Sequence, residues 1–259
     1  MNKNTIMESL KNSMPLISII LPFFNRINLT INALKSILNQ TYSNYEILLI
    51  DDGSSDDLAE IMELIKKNEK IRYFSNLLNL GCSCSRNIGI NNAHGKYIAF
   101  LDSDDLFVPE KLMTQVAMME ENNLIFTHTS YWRVESGINK PKFIKSGRYN
   151  YTYPFIAFHC LIAMPTVMIR RDFLQDRRFL EEYRFGEDGI FWLELSRYTR
   201  LLGINKPLSI VNISINTTGR SKLKLKTARI QIAAQLANYN LPFYYLFRLY
   251  NGFRNFFDV

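Results

Sequence analysis

Cysteine and histidine are scarce in this chain of 259 residues, with three of each. Cys82, Cys84 and Cys160 cannot build a disulfide framework, and Cys82-x-Cys84 lacks the spacing of a zinc pair. Reduced thiols in the cytoplasm are the expectation. His94, His128 and His159 stand apart from one another and are read as packing residues. Long hydrophobic runs are missing as well. The longest mostly apolar stretch, Phe155 to Ile169, is interrupted by His159 and Pro165 and is too short to span a bilayer. The first fourteen residues are polar, without the apolar centre of a secretory signal. Acid is nearly absent from the C-terminal end, where Asp258 alone faces seven Lys and Arg between Gly219 and Val259. That segment holds +6 of the net +7, so the body of the protein is close to neutral and no nucleic acid is expected as a partner.

What is present is a folded composition, 47% hydrophobic and 21% charged, and the length suits one elaborated domain. Leu16 to Pro22 is an apolar run ended by Pro22, and Glu46 to Asp51, Ile71 to Ser75 and Lys96 to Asp102 read as further strands. Between them, helical spacing covers Thr30 to Gln40, a stretch capped by Asp56 or Asp57 and running through Glu69, and Ser83 to Ala93. Pro109 suits the first position of a helix reaching Glu121. Alternating strands and helices predict βαβ crossovers and a mainly parallel sheet flanked by helices. After Leu124 the pattern changes: strands are expected at Leu124 to Val134, Thr166 to Ile169 and Leu208 to Ile213, and an aromatic helix at Ile190 to Tyr198.

Two acidic clusters fall at strand ends, Asp51-Asp52 and Asp102-Ser103-Asp104-Asp105. Ligands of such sheets bind beyond the carboxyl ends of the strands. Carboxylates crowded there make sense around a hard divalent cation completed by substrate phosphates. A solvated turn is the plainer alternative.

The ordered set of segments resembles the family 2 glycosyltransferases, which are inverting enzymes of the GT-A fold. Its pieces are Ser18 to Arg26, Ser36 to Thr41, Glu46 to Asp56, Asn79-x-Gly81, Ser85-Arg86-Asn87, Phe100 to Asp105 and Gly186-Glu187-Asp188. The resemblance implies a GT-A domain over 15–215, with a nucleotide-binding half (15–123) and an acceptor half (124–215). A 1–14 extension precedes it, and a basic aromatic segment (216–259) follows. It places a nucleotide sugar against Pro22, Phe24, Asn25, Asp52, Arg86 and Asp102, with Asp52 on the uracil imide and Arg86 leaning on the diphosphate. Asp104 and Asp102 would hold Mn2+ or Mg2+, and Asp105 is expected to start a helix. Asp188 matches the catalytic base, with Glu187 in reserve. Burial beside Phe185, Phe191 or Trp192 should raise the Asp188 pKa, and so should Glu187. Asp188 as a plain helix N-cap stays open. Trp132 and Trp192 are either an acceptor platform or core.

The end of the chain mixes Lys224, Lys226, Arg229, Arg248 and Arg254 with aromatics from Phe243 to Phe257. Such a segment either lies on an anionic membrane surface or packs on the domain. The resemblance then implies a UDP-sugar donor and a lipid-linked sugar acceptor of the GlcNAc-diphospho-undecaprenol type. The enzyme would sit at the inner face of a bacterial inner membrane and build O-antigen or other surface polysaccharide through a β-linkage. UDP-galactose is the first donor expected and UDP-glucose the second. A nucleotidyltransferase or a non-catalytic nucleotide-sugar-binding module on the same fold is the rival. Against the former stands the lack of a Gly-rich, cation-bearing loop after the first strand.

Overall fold

A computed structural model of the protein describes residues 14–138, 140–213, 231–236, 238 and 242–247. The elements run β1 (Ile17–Phe23), α1 (Ile27–Leu38), β2 (Tyr45–Asp51), α2 (Ala59–Lys67), β3 (Ile71–Ser75), α3 (Cys82–Asn92), β4 (Tyr97–Phe100) and β5 (Leu106–Phe107). They continue with α4 (Lys111–Glu121), β6 (Phe126–Glu135), β7 (Lys142–Ile144), β8 (Met168–Arg170), α5 (Arg171–Leu174), α6 (Glu187–Leu195) and β9 (Leu202–Ile213).

One sheet takes in all nine strands of the described residues, in the order β3-β2-β1-β4-β8-β6-β9-β5, with β7 paired to β6. The first half is parallel, as expected of strands joined by helical crossovers. The second half keeps one long parallel pair, β6 with β9, and adds short antiparallel pairs to a sheet that is otherwise parallel as expected. There β8 is antiparallel to both β4 and β6, and β5 is antiparallel to β9. No helix returns the chain before β8; a short 3-10 turn at Met164–Thr166 delivers it directly.

Side chains alternate between two cores. Ile17, Ile19 and Leu21 of β1 meet Leu34 and Ile37 of α1 and Leu112 and Val116 of α4. Ile20 faces the other way, toward Ile90 of α3 and Phe191 and Trp192 of α6. A sheet covered on both faces explains why the strands read as unbroken apolar runs. Pro22 lies inside β1 instead of ending it. It stands past the last residue of β4 that pairs with β1, so its missing N–H costs no ladder bond. The helix expected from Thr30 begins at Ile27, directly after Arg26 in the left-handed region. Likewise α4 starts at Lys111, two residues after Pro109.

Most of the basic aromatic segment, including Lys224, Lys226, Arg229, Arg248 and Arg254, lies outside the described residues, as does 1–13 of the N-terminal extension. Of the described part, Leu236 and Phe247 are buried in the second core. Phe243 packs edge-on against Phe155 at 5.3 Å, while Tyr245 and Leu246 are exposed. Among the described residues no helix is long and apolar enough to cross a membrane.

Candidate active site

The C-terminal ends of β1, β2 and β4, together with the start of α6 and the end of β9, enclose a cleft of about 690 Å³. Its floor is built by the first acidic turn. The Asp52 N–H donates to the Phe23 carbonyl at 2.8 Å, which continues the sheet into the turn. Its carboxylate accepts Asn76 Nδ2 (2.9 Å), Leu80 N (3.0 Å) and Gly81 N (2.8 Å). Gly53, at φ 77°, is required here twice over. A side chain would be strained at that φ, and a Cβ would lie 2.7 Å from the Leu78 carbonyl carbon. Asp51 takes no part in the cleft; it accepts Ser54 N and the Tyr73 hydroxyl, both at 2.8 Å.

The second turn leaves β4 at Phe100, so Asp102, Asp104 and Asp105 lie outside the sheet. Asp104 pairs with Arg26 at 3.2 Å. Burial and the neighbouring Asp102 charge raise its pKa, against the pull of Arg26. Asp105 starts no helix. It is buried, and its Oδ1 accepts the Asn212 N–H from β9 at 2.8 Å. Burial, then Asp102 and Asp104, hold its carboxyl well above the usual range. Asn212 Nδ2 donates to the Asp104 carbonyl at 2.6 Å, so the last strand clamps the acidic turn.

Arg86, 4% exposed, reaches from α3 between two carboxylates. Nη2 donates to Asp102 at 2.7 Å and Nη1 to Glu187 at 2.8 Å. The fork expected on a diphosphate is therefore engaged by protein carboxylates, and it ties the acidic turn to α6. Burial alone would lift the Glu187 pKa, but the Arg86 charge and hydrogen bond and the Cys82 thiol hold it below the ordinary value. That makes Glu187 a poor proton acceptor and a good strut.

Asp188 is different. Gly186, left-handed at φ 72°, occupies the cap position of α6, so Asp188 stands in the first turn and is not the N-cap. Among the described residues its Oδ1 accepts only the adjacent Gly189 N–H, at 2.7 Å. Burial, then the Glu187 charge, push its pKa up to about 6, and the charges of Arg86 and Asp102 also reach it.

Pro22, Phe24, Asp52, Arg86, Asp102, Asp104, Glu187 and Asp188 all line the cleft. Asn25 is the one candidate that does not. Its Oδ1 accepts Ser55 N at 2.9 Å and its N–H donates to Ser54 Oγ, bracing one loop against another. Trp192 is fully buried against Phe126 and Phe100 and cannot be a platform, while Trp132 is partly exposed over Phe143. Sequence reasoning did not single out Arg26, Asn212, Tyr183 and Arg184, which also border the cleft. The Tyr183-Arg184-Phe185 run directly before Gly186 was the available signal for two of them.

For a divalent cation the donor set fits in part without the substrate. No group of three or more His, Cys, Asp or Glu among the described residues is arranged to hold an ion. Asp102 and Asp104 would offer hard carboxylate oxygens in the cleft, and their mutual repulsion is of the kind a cation relieves. Phosphate oxygens would complete such a site.

Likenesses to known proteins converge on one family. A family model described as Glycosyl transferase family 2 matches residues 18–183, stopping just short of Glu187. A Rickettsia felis protein named as an uncharacterized glycosyltransferase is 44% identical over 227 residues, 86% of this chain and 37% of its own. The chain spans about a third of the length of its Rickettsia relatives. An Escherichia coli protein named UDP-Glc:alpha-D-GlcNAc-diphosphoundecaprenol beta-1,3-glucosyltransferase WfgD is 30% identical over 217 residues, 83% of each chain. The crystal structure of S. aureus TarS 1-349 in complex with UDP-GlcNAc has a TM-score of 0.68 to this fold. It matches 86% of this chain and 67% of that one at 19% identity. Since the matched residues make up more than half of the chain and contain both acidic turns and the arginine that joins the second of them to α6, the chain belongs to glycosyl transferase family 2.

Proposed function

We propose that the protein is an inverting hexosyltransferase that moves a sugar from a UDP donor to a sugar carried on a lipid diphosphate. One observation carries the reading. A carboxylate poised near neutral protonation, Asp188, lines the same cleft as an acidic turn suited to a diphosphate-bound cation. In an inverting transfer the acceptor oxygen attacks the anomeric carbon as its proton passes to a carboxylate, and the carbon–oxygen bond to the diphosphate breaks on the opposite face. A base with a pKa of about 6 is ionised at neutral pH yet basic enough to take that proton.

The roles of the other residues follow from their placement. Phe24, exposed at the rim, offers a face to the uracil ring, with Pro22 beside it. Among the described residues Asp52 Oδ2 accepts a single hydrogen bond, which leaves capacity for the uracil imide. Asp104 and Asp102 would hold Mn2+ or Mg2+, which when bound offsets the charge growing on the departing UDP. Arg86 keeps Asp102 and α6 in register and shields Glu187. Asn25 acts as a brace, not a ligand.

The E. coli relative's name includes UDP-Glc and a GlcNAc-diphosphoundecaprenol, so UDP-glucose is favoured here over UDP-galactose. Surface polysaccharide assembly at a membrane is the corresponding setting. The protein is incubated with each radiolabelled UDP-hexose, MnCl2 and a GlcNAc-diphospho-lipid. Glucose transfer is expected, lost in Asp188→Asn and Asp104→Asn. Absence of transfer from every common UDP-hexose, or full activity in Asp188→Asn, would overturn the proposal.

A further inference from the structure

Three leucines of one loop face water at the mouth of the cleft. Leu77 is fully exposed, Leu78 72% and Leu80 46%. Leucines this close together normally fold inward, because each one buried contributes favourably. This loop cannot let them. The Asn76 N–H donates to the Asp51 carbonyl at 2.8 Å. Asn76 Nδ2, Leu80 N and Gly81 N are all held by the Asp52 carboxylate. The backbone of Leu78 lies directly against Gly53. Both ends are thus tied down, and the tip carries Leu77 and Leu78 outward.

Beside this loop stands a cation. The Arg184 guanidinium lies along Gly81, where an added Cβ would be 3.4 Å from Nη1. It has no ion-pair partner among the described residues. Exposed leucines beside an unpaired arginine suit the boundary layer of a membrane, with side-chain hydrocarbon among acyl chains and the guanidinium at lipid phosphates. Asn79, Leu80 and Arg184 line the cleft whereas Leu77 and Leu78 do not, so the apolar tip lies outside the cleft on a loop that forms part of its rim.

We propose that the loop Asn76 to Gly81, with Arg184, docks the protein on an anionic lipid bilayer with the cleft mouth turned toward the leaflet. The docking stands on this loop alone; its use in meeting a lipid-borne acceptor rests on the function proposed above. The full chain is sedimented with vesicles of phosphatidylcholine, and of phosphatidylcholine with phosphatidylglycerol. Binding to the anionic vesicles is expected, and weaker binding of Arg184→Gln. The double variant Leu77→Ser/Leu78→Ser should bind at least about tenfold less, since a difference of about 1.4 kcal/mol is tenfold. It should keep its melting temperature and its transfer to a water-soluble short-chain acceptor, yet lose transfer to acceptor embedded in vesicles. Vesicle binding that depends on Leu77 and Leu78 without transfer to any acceptor would uphold the docking and sink the proposed function instead. The docking is overturned if wild type ignores both vesicles, or if the double variant binds like wild type. It is also overturned if the substitutions merely dissolve a dimer in sedimentation velocity and leave vesicle binding intact.

Discussion

Asp188 shows how one side chain serves function at the expense of stability. Its folded pKa is raised from 3.8 to about 6, so the native state holds this proton more tightly than the unfolded chain does. The stabilisation is full below pH 3.8 and is lost as pH rises through about 6. Asp188→Asn should therefore be more stable than wild type at pH 8 by roughly 1–2 kcal/mol, a gap that closes near pH 4. Urea titration at the two pH values measures it, and equal stability at both would refute the assigned environment. In wild type, kcat/KM should fall about tenfold per pH unit below the same pKa and level off above it. A Glu187→Gln variant should move that acid limb to lower pH, because it deletes the like charge. A pH profile left in place by Glu187→Gln would show that the two carboxylates do not communicate. The motif Gly186-Glu187-Asp188 was legible in the sequence. The division of labour was not, because it depends on which of two adjacent acids meets Arg86, a residue 101 positions earlier.

Among the elements, β6 and β9 decide how the second half closes over the site. They pair in parallel with register shifts after Thr129, and the turn at Ser146–Arg148 threads against them. Gly147 is indispensable there, because an added Cβ would lie 1.9 Å from the Ile204 carbonyl oxygen, a backbone atom that cannot swing aside. Gly147→Ala should cost about 3 kcal/mol or more, visible as a lower urea midpoint. A midpoint within error of wild type would contradict this packing. Apolar runs such as Ile17–Phe23 identified the parallel strands, since burial on both faces leaves an unbroken pattern. The strand expected at Thr166 to Ile169 is β8, but three residues carry no sign of its antiparallel direction. The length of β9 was also underestimated, because Gly203, Asn205 and Lys206 interrupt its apolar pattern.

At the scale of the whole molecule, the site is a meeting of distant segments on one sheet edge. Residues from the ends of β1, β2 and β4 form one wall, and α6 and β9 the other. A ligand that spans them should stabilise the native state. UDP with Mn2+ at about a hundredfold above Kd is expected to add about 2.7 kcal/mol. For a domain of this size that is a rise of roughly 5–10 °C in melting temperature. EDTA should abolish the rise, as should Asp104→Asn. If UDP shifts the melting temperature equally in Asp104→Asn, the acidic turn does not serve the nucleotide.

By itself the amino-acid order determined the α/β class, the parallel first half and the two acidic strand ends, because apolar periodicity and carboxylate crowding are local properties. Tertiary structure alone decided that Arg86 braces Asp102 against Glu187, that Asn212 secures Asp105, and that three leucines stand in water. Each of these depends on partners far apart in the chain, whose encounter is set by strand order and not by any neighbouring residue.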